Sequence, residues 1–140
     1  MKRRRLRFLS VEQVVAMHEA VLRRSGGRAG GGPRGQAYEG VDAAVQAVKN
    51  SYYESVEELA AAYAVYIVQG HVFQDGNKRT GAAAMLTFLE ANGARVAIAH
   101  EQTGTLMIEL QRRAERGERP DRLIDWIASV LGAGRRKRST

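Results

Sequence analysis

Eleven consecutive residues concentrate the chemistry of this 140-residue chain: His71-Val72-Phe73-Gln74-Asp75-Gly76-Asn77-Lys78-Arg79-Thr80-Gly81. They combine a base, a carboxylate, a Gly-Asn pair and two adjacent cations. An imidazole with an ordinary pKa of about 6.5 can take a proton from a hydroxyl nucleophile, which is the candidate role of His71. Asp75 offers a hard oxygen ligand for Mg²⁺, an ion that arrives bridged to phosphates and keeps several waters. The unpaired amides of a helix starting here would sit at the positive end of its dipole and attract phosphate oxygens. Gly76 lets the backbone come close to such a group, and Asn77 tolerates unusual dihedrals while capping the helix. Lys78 and Arg79 bring charge to the same phosphates, the Arg through a planar fork that takes two oxygens at once. Phe73 is the apolar anchor that pins the loop to the core. Singly these are residues of ordinary turns and caps. Gathered at one helix start, they describe a nucleotide-dependent transferase site.

Two helices must hold that loop. Before it, Ser55-Val56-Glu57-Glu58 reads as a capping box, and Val56, Leu59, Ala60, Tyr63, Ile67 and Gly70 follow along one stripe. After it, the Ala-rich segment Lys78 to Ala91 is a strong helix former closed by Asn92-Gly93. A second capping box, Ser10-Val11-Glu12-Gln13, opens a helix whose face carries Val11, Val14, Val15, His18, Val21 and Leu22 until Gly26-Gly27. On that stripe His18 reads as a satisfied core or interface histidine. Gly26 to Gly35, with six Gly and one Pro, is expected to be a mobile loop. Apolar spacing resumes over Val41 to Val48, giving a helix that ends near Asn50 to Tyr53. Downstream, Ala94 to Ala99 suggests a short extended piece, and Leu106 to Arg116 a helix stopped by Gly117. Pro120 then opens a last helix bearing Leu123, Ile124, Trp126, Ile127 and Leu131. His100, near a loop, acquires no role. The sum is a compact, all-α, single-domain bundle of about six helices.

Composition excludes several other classes. The chain has no Cys, hence no disulfide framework, thiolate nucleophile or Cys-based zinc site. Its net charge of +7 comes from its ends: Lys2, Arg3, Arg4, Arg5 and Arg7 at one, Arg135, Arg136, Lys137 and Arg138 at the other. Taking those nine from the 22 basic residues leaves 13 against 15 acidic ones, so the part between is not a basic domain. The organisation expected is a basic tail over residues 1–7, a domain over 8–131 and a second basic tail over 132–140. No apolar stretch of signal-peptide quality follows the N-terminal cations. The longest apolar run, Leu59 to Val68, is about half of what a bilayer span needs. A soluble, cytoplasmic protein without a membrane partner is expected.

The His71–Gly81 stretch closely resembles the signature of the Fic/Doc superfamily, His-x-Phe-x-Asp/Glu-Gly/Ala-Asn-Lys/Gly-Arg in a loop between two helices, and matches it at every position. The helical layout from about Phe8 to Leu131 is also similar. The resemblance implies His71 as general base, Asp75 as Mg²⁺ ligand, and Gly76, Asn77, Lys78 and Arg79 as the phosphate site, with Lys78 and Arg79 absorbing charge during transfer. Adenylyltransferases of this superfamily have Gly after the Asn and a second Arg three residues beyond the first. Lys78 and Ala82 stand there instead, and the Asn-Lys-Arg-Thr sequence is similar to the Doc, or death-on-curing, branch. That branch implies a kinase using ATP as substrate, transferring its γ-phosphate to a threonine of a translation factor, elongation factor Tu, and so inhibiting translation.

The same resemblance implies regulation by a small antitoxin binding in trans. An inhibitory Ser/Thr-x-x-x-Glu-Gly/Asn helix within the chain is approached only by Thr105 and Glu109, and Leu110 breaks its last position. The region Pro33 to Glu39 lacks the Asp that Doc-like chains often carry after the Gly-rich loop. Two other readings stand beside the kinase: a Fic-type adenylyltransferase, and a non-catalytic interaction or nucleic-acid-binding protein using its basic tails.

Overall fold

The computed structural model describes residues 5–25, 36–96 and 98–139, excepting the side chains of Ser25, Gln36 and residues 133–139. Six helices follow one another: α1 (Val11–Ser25), α2 (Gln36–Lys49), α3 (Val56–Gln69), α4 (Asn77–Ala91), α5 (His100–Glu115) and α6 (Pro120–Ser139). Among the described residues there is no strand, so the all-α expectation holds. The glycine-rich segment read as a mobile loop, residues 26–35, lies outside the described residues.

The core is built around α3, which packs against α2, α4, α5 and α6. Leu59 to Val65, Ile67 and Val68 are all buried. A helix covered on nearly every side has no need of a polar face, and this is why its sequence reads as an almost unbroken apolar run. Ala60, Ala61, Ala62 and Ala64 let the neighbouring helices approach closely. The approach to α4 is tight: a Cβ on Gly81 would lie 3.1 Å from Val68 Cγ2 and 3.5 Å from Ala64 Cα. The α3–α4 pair therefore meets nearly backbone to backbone just beyond the loop that joins it.

Both predicted capping boxes form. Ser10 Oγ accepts from the Gln13 amide at 3.1 Å while Gln13 Oε1 accepts from the Ser10 amide at 2.8 Å. Ser55 and Glu58 repeat the arrangement at the start of α3, at 3.0 and 3.3 Å. The N-terminal segment is tied down further in. Leu9 donates its amide to the Tyr63 hydroxyl at 2.9 Å, and burial pushes that phenol up to about 12, against the opposite pull of the Leu9 amide. Asn92, at the end of α4, holds both the amide and the carbonyl of Arg7 at 2.7 and 3.1 Å.

Two boundaries differ from the sequence pattern. The second helix begins at Gln36, ahead of Val41, because its first turns are largely solvent-facing and show no apolar period. The fifth begins at His100 instead of Leu106, since Glu101, Gln102, Gly104 and Thr105 are exposed; Gln102 Oε1 accepts from the Ala99 amide at 2.9 Å. No strand precedes it among the described residues of 94–99, although Ala99 itself has an extended backbone, φ −72° and ψ 156°. The last helix runs past Leu131 to Ser139, through Arg and Lys residues that are good helix formers. Across the α5–α6 joint the Arg113 guanidinium lies 4.0 Å over the Trp126 ring.

Candidate active site

The chain leaves α3 at Gly70 and returns as α4 at Asn77, so residues 71–76 form a short reversal at one end of the central helix pair. His71 has a positive φ of 47°, a left-handed conformation that costs energy for a residue with a Cβ, and its side chain is exposed. Phe73 turns inward and is 4% exposed, which is the anchoring role expected of it. Gln74 and Asp75 are exposed, and Gly76 follows at φ 84°, where only glycine is free of strain.

Asn77 corrects one expectation. The N-cap of α4 is Gly76, with no side-chain hydrogen bond, and Asn77 is the first helical residue. Its side chain turns back on the loop: Oδ1 accepts from the Phe73 amide at 2.9 Å and Nδ2 donates to the Phe73 carbonyl at 2.7 Å. An amide carries both a donor and an acceptor, so Asn77 satisfies both backbone groups of the anchoring residue, a task that outranks capping. The start of α4 is thus left without a side-chain cap. Its first turn has no acidic residue and carries Lys78 and Arg79 instead. Cations here oppose the helix dipole, by roughly 0.3–1 kcal/mol each in exposed settings. The arrangement becomes favourable when an anion sits over the helix start.

The two cations differ in placement. Lys78 Nζ donates to Gln111 Oε1 on α5 at 2.5 Å, and Gln111 Nε2 donates to Glu115 Oε2 at 3.0 Å. Arg79 is exposed. Both line a cleft of about 730 Å³ between α1, α4 and α5, with walls that include Met17, Val21, Leu86 and Met107. His100, given no role by the sequence, also lines it, as does Arg24. Among the described residues no group of three or more His, Asp or Glu could hold a metal by itself. A single exposed carboxylate, Asp75, suits Mg²⁺, whose other ligands would be phosphate oxygens and waters.

One partner of the loop could not be found from spacing. His18, on α1, is 4% exposed, and its Nε2 lies 2.8 Å from the Asp75 carbonyl. Its ring stacks on Phe73 with centroids 3.7 Å apart and planes 8° from parallel. The sequence reading of a satisfied core histidine is right as far as it goes, but what satisfies the ring is the site loop itself. Only the packing of α1 against α4 reveals that.

A helical domain with this loop defines a class, and comparison with known proteins gives the same one. A sequence profile described as the Fic/DOC family matches residues 8–89, from the segment before α1 through most of α4. The chain belongs to that family. The protein kinase doc of Escherichia phage P1 is 39% identical to it over 93 residues, 65% of this chain and 72% of that protein, which places the chain on the Doc branch.

Proposed function

We propose that this protein is a Doc-like protein kinase that moves the γ-phosphate of ATP to a threonine hydroxyl of a translation factor, with elongation factor Tu the first candidate. The observation that carries the reading is the start of α4, left uncapped, opened by a left-handed Gly76 and flanked by Lys78 and Arg79. A helix start built against its own dipole is suited to a bound polyphosphate. The relative from phage P1 is named a kinase, which favours phosphoryl transfer over other uses of the same cradle.

The placement of these residues supports a mechanism. Gly76 lets phosphate oxygens approach the first amides of α4, and Arg79 takes two of them through its fork. Lys78, released from Gln111, supplies a second cation as charge builds on the transferring group. Mg²⁺ bound at Asp75 would neutralise phosphate charge while keeping part of its water shell. His71 accepts the threonine proton as the hydroxyl oxygen bonds to the γ-phosphorus; the bond to the β-phosphate oxygen breaks and ADP leaves. The exposure of His71 and Asp75 suits a protein acceptor, which must reach them from solvent.

Regulation belongs to the same proposal. The cleft beside Lys78 and Arg79 has apolar walls and a basic rim with Arg24 and His100. Those are the features an amphipathic antitoxin helix with acidic residues would meet. Such a toxin acts in the cytoplasm, and no described helix is long and apolar enough to cross a membrane.

ATP labelled at the α or the γ position, incubated with elongation factor Tu, tests the reading. Label should reach the acceptor only from the γ position and be lost with His71→Ala. Transfer from the α position alone would instead establish an adenylyltransferase. Transfer from neither, with binding retained to RNA or a protein partner, would leave a non-catalytic module.

A further inference from the structure

We propose that His18 is a positioning residue for the transfer reaction, holding the loop that carries His71 and Asp75 in its working shape. This rests on the kinase reading above. One imidazole touches two loop residues and borders a third: it stacks on Phe73, meets the Asp75 carbonyl at 2.8 Å, and leaves only 3.5 Å to the place a Cβ on Gly76 would occupy. A carbonyl only accepts, so Nε2 is the donating nitrogen and the ring orientation is set. The bond is made to the backbone of the residue whose carboxylate is the candidate Mg²⁺ ligand. Restraining that peptide unit restrains the origin of the exposed carboxylate, which Asp75 could not achieve alone on a six-residue reversal.

Asn77 braces the loop from the other side, through both backbone groups of Phe73. Phe73 is therefore gripped between a local amide and a ring brought from α1. A merely space-filling role at position 18 would be met by Leu or Phe, as Val14 meets it one turn earlier at 1% exposure. An imidazole adds a donor where the buried side of the loop presents a carbonyl.

The test compares full-length wild type with His18→Phe, which keeps a ring but removes the donor, and His18→Gln, which keeps an N–H and removes the ring. With γ-labelled ATP and elongation factor Tu, His18→Phe should lower transfer by about 10- to 100-fold, the usual cost of losing a group that orients a ligand. The Mg²⁺ concentration for half-maximal transfer should rise, a shift that a smaller folded fraction alone would not produce, and His18→Gln should restore part of both. Amide hydrogen exchange at Phe73 gives a readout independent of activity: it should quicken in His18→Phe while amides in the middle of α3 keep their rates. Unchanged exchange at Phe73 in a folded His18→Phe protein overturns the proposal, whatever the enzyme assay gives. Faster exchange in a protein whose wild type transfers no phosphate would keep the brace and sink the kinase reading.

Discussion

The helices on either side of the loop begin in opposite ways. The start of α3 is sealed, with Ser55 and Glu58 capping each other's backbone in a reciprocal box and acidic residues in the first turn. The start of α4 is open: Gly76 caps it without a side chain, Asn77 is occupied with Phe73, and the first turn is basic. A side-chain cap and acidic first-turn residues are present in one and missing from the other. Stability and anion binding draw on the same amides, so a helix start can be optimised for only one of them. Here the start of α3 is built for the fold, and the start of α4 is where the proposed site falls.

That contrast can be broken most severely at His71. His71→Gly relieves the positive φ while deleting the proposed base, so phosphate transfer should fall on the order of 10²–10⁴-fold with no loss in melting temperature. Loss of thermal stability there would mean that His71 serves the fold. Asn77→Ala leaves both backbone groups of Phe73 without their partner, and urea unfolding should show about 1–3 kcal/mol of destabilisation together with weakened transfer.

Gly76→Ala sharpens the comparison between two left-handed glycines. It combines a backbone cost of roughly 1–2 kcal/mol with crowding against Val21, 3.3 Å away, beside His18 at contact distance, whereas Gly93→Ala at φ 73° meets open space and should incur the backbone term alone. Equal losses at the two positions would mean that α1 yields instead of bracing the loop. Ser55→Ala should show the smallest effect: about 1 kcal/mol in unfolding experiments, with transfer per folded molecule unchanged. A fall in specific activity from that substitution would erase the division between the two helix starts.

Much of the fold was legible because its signals are local. A capping box spans four residues, and Asn92-Gly93 announces the end of α4 by the same short-range chemistry that the structure uses. Boundaries were misplaced where a helix begins in solvent, at Gln36 and His100, because an exposed turn has no apolar period to read. The residue types and spacing of the loop from His71 to Arg79 were equally plain, being contiguous.

The sequence by itself determined the all-helical class, the capped starts of α1 and α3, and the family the chain belongs to. Tertiary structure alone decided what supports that segment. His18 lies 57 positions from Asp75, Gln111 lies 33 from Lys78, and the cleft joins residues of α1, α4 and α5. No period or motif encodes those meetings. They arise because α4, seated against the buried α3, also packs against α1 and α5 and so brings residues of all three to the end where the loop lies. Asn77 shows the same division within one residue: its type suited a cap, and the packing of Phe73 turned its side chain to the loop.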